Sequence, residues 1–173
     1  MDRFINAIHT SLATQNWYAA LYLSLTLPDI CARLEANNRK TNRNKFVAWF
    51  DKYLASKYQV QIGADREKHV FLSGNDCYAL RCAMLHEGES NIASQQCREV
   101  LERFHFTVVG SHCNQINSVL QLDIPTFCTD VCNAVESWLQ DFKASHTDKL
   151  TRIDELVKVY VGPHSMNEGV YLG

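Results

Sequence analysis

The sequence predicts a mainly helical single domain, a helical bundle with one small β-hairpin, over residues 1–173. Three observations carry that expectation. Apolar side chains recur every three to four residues through most of the chain. Runs rich in β-branched and aromatic residues are few and short, chiefly two stretches around Gly110. The 173 residues are 46% hydrophobic and 21% charged, enough apolar material for one real core.

Phe4, Ile5, Ile8 and Leu12 mark a first helix. A second begins near Asn16 and is apolar nearly all round, with Trp17, Ala20, Leu21 and Ser24 on one face and Tyr18, Tyr22 and Leu25 beside it; such a helix belongs in the middle of a fold. Leu27-Pro28-Asp29 is expected to interrupt it, Pro28 opening a third short helix to Leu34. Residues 36–45 lack apolar periodicity and read as a mobile basic loop. Phe46, Trp49, Phe50, Tyr53 and Leu54 then mark an amphipathic helix. Gln59 to His69 is polar and reads as loop, and Val70-Phe71-Leu72 leads into the next element. Ser73 with Asp76 three residues on is a capping-box start for a helix running through His86 and stopping at Gly88. Cys77, Leu80 and Met84 are its inward stripe. Phe104–Val109 and Ser118–Leu122 suggest the hairpin, with His105 facing water. Pro125 opens a long helix that turns Phe127, Val131, Val135, Trp138, Leu139 and Phe142 inward. Leu150, Ile153, Leu156, Val157 and Tyr160 have helical spacing, while Val157–Val161 also suits a strand; both readings stand.

A net charge of −2 excludes nucleic-acid binding by bulk charge, so any RNA or DNA contact needs a local patch. Met1-Asp2-Arg3-Phe4 lacks the basic start and apolar centre of a secretion signal, and Trp17–Leu27 is too short to cross a bilayer. A cytoplasmic location away from the membrane is therefore expected. Seven cysteines at irregular spacing read as free thiols in a reducing compartment. Cys128 and Cys132, with His112-Cys113 upstream, suit either a zinc site or core packing; without paired Cys-x-x-Cys knuckles the expectation is no metal. Gly-rich phosphate loops, nucleophile elbows and His-Glu-x-x-His are absent, and His9, His69, His105, His112, His146 and His164 lack ligand spacing.

Chemistry concentrates at Arg81 and His86. An always-charged guanidinium can grip a phosphate and stabilise charge building on its oxygens. A histidine that titrates near neutrality can take a proton from a ribose 2′-hydroxyl or return one to the leaving oxygen. Together they support metal-free RNA transesterification without a cofactor. On an ideal helix five steps of about 100° set the two roughly 140° apart, so they converge only at a helix end or across a second subunit.

Leu80-Arg81-Cys82-Ala83-Met84-Leu85-His86-Glu87-Gly88 resembles the signature of HEPN-domain ribonucleases, in which an Arg is separated by four to six residues from a His at a helix end. In that family the residue after Arg is usually Asn, His or Asp; here it is Cys82. The resemblance implies a helical bundle that forms a homodimer with a composite cleft. It implies that Arg81 binds and polarises the scissile phosphate and that His86 is the acid/base. It also implies a toxin–antitoxin or phage-defence setting with an antitoxin or other protein partner. The plainer reading is a chance pair, with His86 favoured by the helix dipole and Glu87 pairing with Arg81 or capping the turn.

Arg39, Lys40, Arg43 and Lys45, with Arg33 upstream, form the dense basic cluster. It reads either as a guide for an RNA backbone or as a solvated loop and helix start. Trp17, Tyr18, Tyr22, Trp49, Phe50 and Tyr53 have the spacing of core residues rather than of base-stacking platforms. Two functions follow: an HEPN-like endoribonuclease, or a non-catalytic helical interaction module such as an accessory or inhibitor protein.

Overall fold

Helix α2 (Trp17–Glu35) is the axis of the molecule, and α1 (Asp2–Ala13), α3 (Arg43–Tyr53), α4 (Gly74–Glu87) and α5 (Ile124–Ser145) all pack against it. The computed structural model describes residues 1–167 and 170–172, with side chains through Pro163. The architecture is mainly α with a minor β component.

The central position of α2 follows from its composition. Ala20, Leu21, Leu25, Leu27, Cys31 and Leu34 are buried, facing α1 on one side and α5 on the other. Phe127, Cys128, Val131, Val135, Trp138 and Phe142 supply the α5 face, as the sequence predicts; Leu139 is half-buried beside them. Trp138 donates its indole N–H to Glu35 Oε1 at 2.6 Å, so a polar edge enters the core with its partner in place. The last carbonyls of α2 are satisfied from outside the helix. Lys149 Nζ donates to Glu35 O, and Arg152 donates to Leu34 O and Ala36 O, each at 2.8 Å.

Helix α2 does not break at Pro28. Proline removes the N–H that would bond Ser24 O. The turn before it is reinforced by side chains, Ser24 Oγ donating to Ala20 O and Thr26 Oγ1 to Leu23 O. Pro28 is itself buried, so packing outweighs the lost bond.

Gln59 to His69, expected as loop, together with Val70 form a hairpin of β1 (Gln59–Ile62) and β2 (Glu67–Val70). Val60, Ile62 and Val70 stay exposed, so backbone pairing around the Gly63–Arg66 turn holds it rather than a buried face. The second correction concerns the runs around Gly110. Strands β3 (Arg103–Thr107) and β5 (Val119–Asp123) are parallel, and β4 (Asn114–Ile116) pairs antiparallel on the far side of β5. The parallel register sets Phe104 beside Leu120 and Phe106 beside Leu122, stacking the apolar residues on one face, with His105 exposed as expected.

Near the C-terminus a single turn, α6 (Thr151–Asp154), replaces the longer helix, and Val157–Val161 is neither helix nor strand. Arg3 anchors this segment by donating to Ile153 O and Leu156 O. Strands β6 (His164–Asn167) and β7 (Val170–Leu172) pair antiparallel after it.

Candidate functional site

Helix α4 positions the Arg–His pair, and its ends are fixed by local chemistry. Ser73 Oγ accepts from Asp76 N at 3.0 Å, giving the expected N-cap. The Asp76 carboxylate then accepts from Glu99 N at 2.7 Å and Val100 N at 3.4 Å, which clamps the 88–102 segment to the start of the helix. Gly74 lets α4 approach α3, since a Cβ there would come within 3.0 Å of Val47 Cγ1. At the other end Gly88 takes the left-handed conformation (φ +71°), and Gly88 N and Glu89 N bond Met84 O and Ala83 O.

The helix therefore ends one residue past His86, and this removes the angular problem. Arg81 Nη1 lies 3.2 Å from His86 Nε2 within one chain. A guanidinium only donates, so this bond requires a neutral imidazole accepting through Nε2 with its proton on Nδ1. His86 is exposed and Arg81 is half-buried, its side chain 23% accessible. Glu87 does not pair with Arg81; its carboxylate accepts from Gln95 Nε2 at 3.0 Å.

Behind Arg81 stands a residue that sequence reasoning missed. Asp29, buried on α2, places Oδ2 2.8 Å from Arg81 Nε. The contact is ionic, because the Nε–H is not aligned on the oxygen. Asp29 Oδ1 accepts from Thr41 Oγ1 at 3.1 Å, so one carboxylate joins α4 to the basic loop. An aspartate within the apolar stretch of α2 that runs from Trp17 to Ala32 was the available signal, since a buried carboxylate needs a cationic partner. Cys82, one step past Arg81, is half-buried and lies in the charge environment of Tyr78 rather than bonding Arg81 or His86 among the described residues. Burial first, and then Cys82, raise the Tyr78 pKa.

The basic cluster is partly structural. Arg39 is neutralised by an ion pair with Glu155. Arg43 donates to Asn75 Oδ1 at 2.8 Å and Cys97 O at 3.0 Å, and Lys45 to Asn38 Oδ1 at 3.1 Å and Lys40 O at 2.6 Å. Those acceptors are neutral, so Arg43 and Lys45 keep their charge, and the exposed Lys40 adds a third. Lys40 lies in the loop and Arg43 and Lys45 in the first turn of α3, and the loop is pinned to Asp29 through Thr41, which sets it beside Arg81.

Cys31, Cys77, Cys128 and Cys132 are buried free thiols, while Cys82, Cys97 and Cys113 are half-buried. Burial pushes the Cys128 thiol up to about 11 and Cys132 to about 12, the behaviour of small core side chains. Among the described residues no three His, Cys, Asp or Glu side chains converge as a metal site would require. None of the described helices is long and apolar enough to cross a membrane. Trp49 and Phe50 are buried and Trp17, Tyr22 and Tyr53 half-buried, but Tyr18, expected in the core, is 79% exposed. It stands in the first turn of α2, where none of the described elements covers that face.

No family model, curated protein or solved structure matches this chain.

Proposed function

We propose that the chain is an HEPN-like, metal-independent endoribonuclease that cleaves RNA by 2′-hydroxyl transesterification. The observation that carries the reading is the Arg81 guanidinium held between Asp29 and His86, its remaining amino group making no hydrogen bond or ion pair among the described residues. Asp29 fixes the fork, Arg81 binds a phosphate through two donors, and His86 acts on the 2′-hydroxyl proton. The 2′-oxygen forms a bond to phosphorus as the 5′-oxygen leaves, giving a 2′,3′-cyclic phosphate and, once a proton is returned, a 5′-hydroxyl. Lys40, Arg43 and Lys45 guide the backbone, and Arg39 contributes least because Glu155 pairs with it. The reading extends to a cytoplasmic homodimer, in a toxin or phage-defence system with a protein antitoxin as partner. RNA cleavage in EDTA by the purified protein tests it. Cleavage unchanged in both Arg81→Ala and His86→Ala rejects the assignment.

A second reading, a non-catalytic interaction module of accessory or inhibitor type, is favoured by one surface feature. Val157, Val159 and Val161 are all strongly exposed, Val161 at 99%, apolar side chains available to a protein partner. This reading expects a folded protein without turnover on RNA.

A further inference from the structure

A crevice of about 390 Å³ opens where the start of α2 meets the end of α4. Trp17, Tyr18, Tyr22, Met84 and Phe106 form its walls, and Glu89 stands at its edge. Tyr22 lies seven residues before Asp29 on α2, two turns along one face, or about 10 Å. Met84 lies three residues after Arg81 on α4, on the adjoining turn. The crevice therefore lies on the same α2–α4 seam as the Asp29–Arg81 pair, about two helical turns along α2 from it.

We propose that this crevice receives the base of the nucleotide flanking the scissile phosphate, with guanine preferred. The proposal rests on the ribonuclease reading above and names the substrate for that same site. Single-stranded RNA is recognised by splaying bases onto aromatic side chains and reading their pairing edges. Tyr18 is placed for stacking, since its ring is exposed beside the half-buried Trp17 and Tyr22 and nothing in the fold needs it there. Glu89 is placed for reading the edge. It is exposed, and its carboxylate enters none of the hydrogen bonds or ion pairs of the described residues. An ionised carboxylate offers only acceptors. Guanine alone presents two adjacent donors, N1–H and the 2-amino group, on its pairing edge. Adenine, cytosine and uracil each set an acceptor beside their donor there, and that acceptor would face the carboxylate unpaired. A second protein chain would fill the same aromatic walls without giving this base preference.

The test uses full-length His86→Ala protein, so that RNA survives, and two fluorescein-labelled single-stranded RNAs of about eight nucleotides, one guanine-containing and one with adenine in place of guanine. Fluorescence anisotropy should show tighter binding of the guanine RNA. Adding Tyr18→Ala should weaken that binding about ten-fold, the loss of one stacking platform. Adding Glu89→Gln should erase the difference between the two RNAs. Both side chains are exposed, so the variants should keep the parent's circular dichroism and melting temperature. Equal binding of both RNAs by the parent, or undiminished binding by the Tyr18→Ala protein, overturns the pocket. If cleavage in EDTA still depends on Arg81, the ribonuclease reading then stands without it. Failure to bind either RNA, with no cleavage by the unmutated chain, overturns both.

Discussion

Asp29 and Arg81, fifty-two residues apart, meet at 2.8 Å, and the aspartate's second oxygen holds Thr41 of the basic loop. The candidate site is thus built from two helices and a loop rather than from one short motif. Asp29→Asn keeps an oxygen for Thr41 and discards the charge that orients the guanidinium. The expected outcome is a loss of about 1–3 kcal/mol in urea unfolding, since the pair is largely shielded from water. If the chain cleaves RNA, kcat should fall more than KM rises, because the fork is misaligned rather than removed.

Arg81→Lys separates charge from geometry. An ammonium cannot reach Asp29 and His86 together or present two parallel donors. Cleavage should drop ten-fold or more while the fold persists, as single-turnover kinetics beside a melting curve would show.

Lys40 and Arg39 are neighbours with different surroundings. Arg39 is paired with Glu155, whereas Lys40 enters no ion pair among the described residues. Lys40→Ala should weaken RNA binding several-fold and reduce the slope of log affinity against log salt by about one. Arg39→Ala should change that slope much less.

Acid should weaken the fold through His112 before it reaches the carboxylates. Burial lowers the His112 pKa below its ordinary 6.5, against the opposing pull of Asp130 and Asp123. Its Nδ1 accepts from Asp123 N at 3.2 Å, a bond that only the neutral ring can accept. The unfolded chain takes up the proton first, so stability is full above pH 6.5 and declines as pH falls from there through the lower folded value. Asp123 acts in a second window. Burial alone would raise its pKa, but hydrogen bonds from Thr126 and Gly110 outweigh that and hold it below 3.8, so its contribution is lost on further acidification. Urea midpoints against pH should show both stages, and His112→Gln should flatten the first.

Gly88→Ala isolates a backbone effect. A Cβ there would meet nothing within 4 Å, so the cost is that of the left-handed conformation, about 1 kcal/mol. If the substituted helix runs on past residue 87, His86 turns away from Arg81 and cleavage falls with it.

The parts of this fold that sequence exposes best are those where one local rule dominates. Ser73, Asp76 and Gly88 bracket α4, and the apolar stripe of α5 runs from Phe127 to Phe142, because capping and periodicity act over a few residues. Pro28 and the β3–β5 pairing depart from expectation because tertiary burial and parallel register override the local signal. Arg81 and His86 stand out by residue type and helix position. Asp29 does not, since its meaning lies in a contact between α2 and α4 that no spacing within either helix encodes. Tyr18 fits a helical stripe, but it stands in the first turn of α2 and stays exposed, which helical spacing alone does not reveal.

The hydrogen bond from Arg81 Nη1 to His86 Nε2 also sets an order of events. On the proposed ribonuclease reading, the one lone pair of the neutral imidazole is occupied, so the proposed base would be bolted shut by the residue proposed to bind substrate. A phosphodiester that draws the guanidinium onto its own oxygens withdraws the bolt, and an ester or nucleoside without that charge leaves it in place. The site would then select for the phosphate before any base is read, and idle hydrolysis of uncharged esters would be suppressed without a lid.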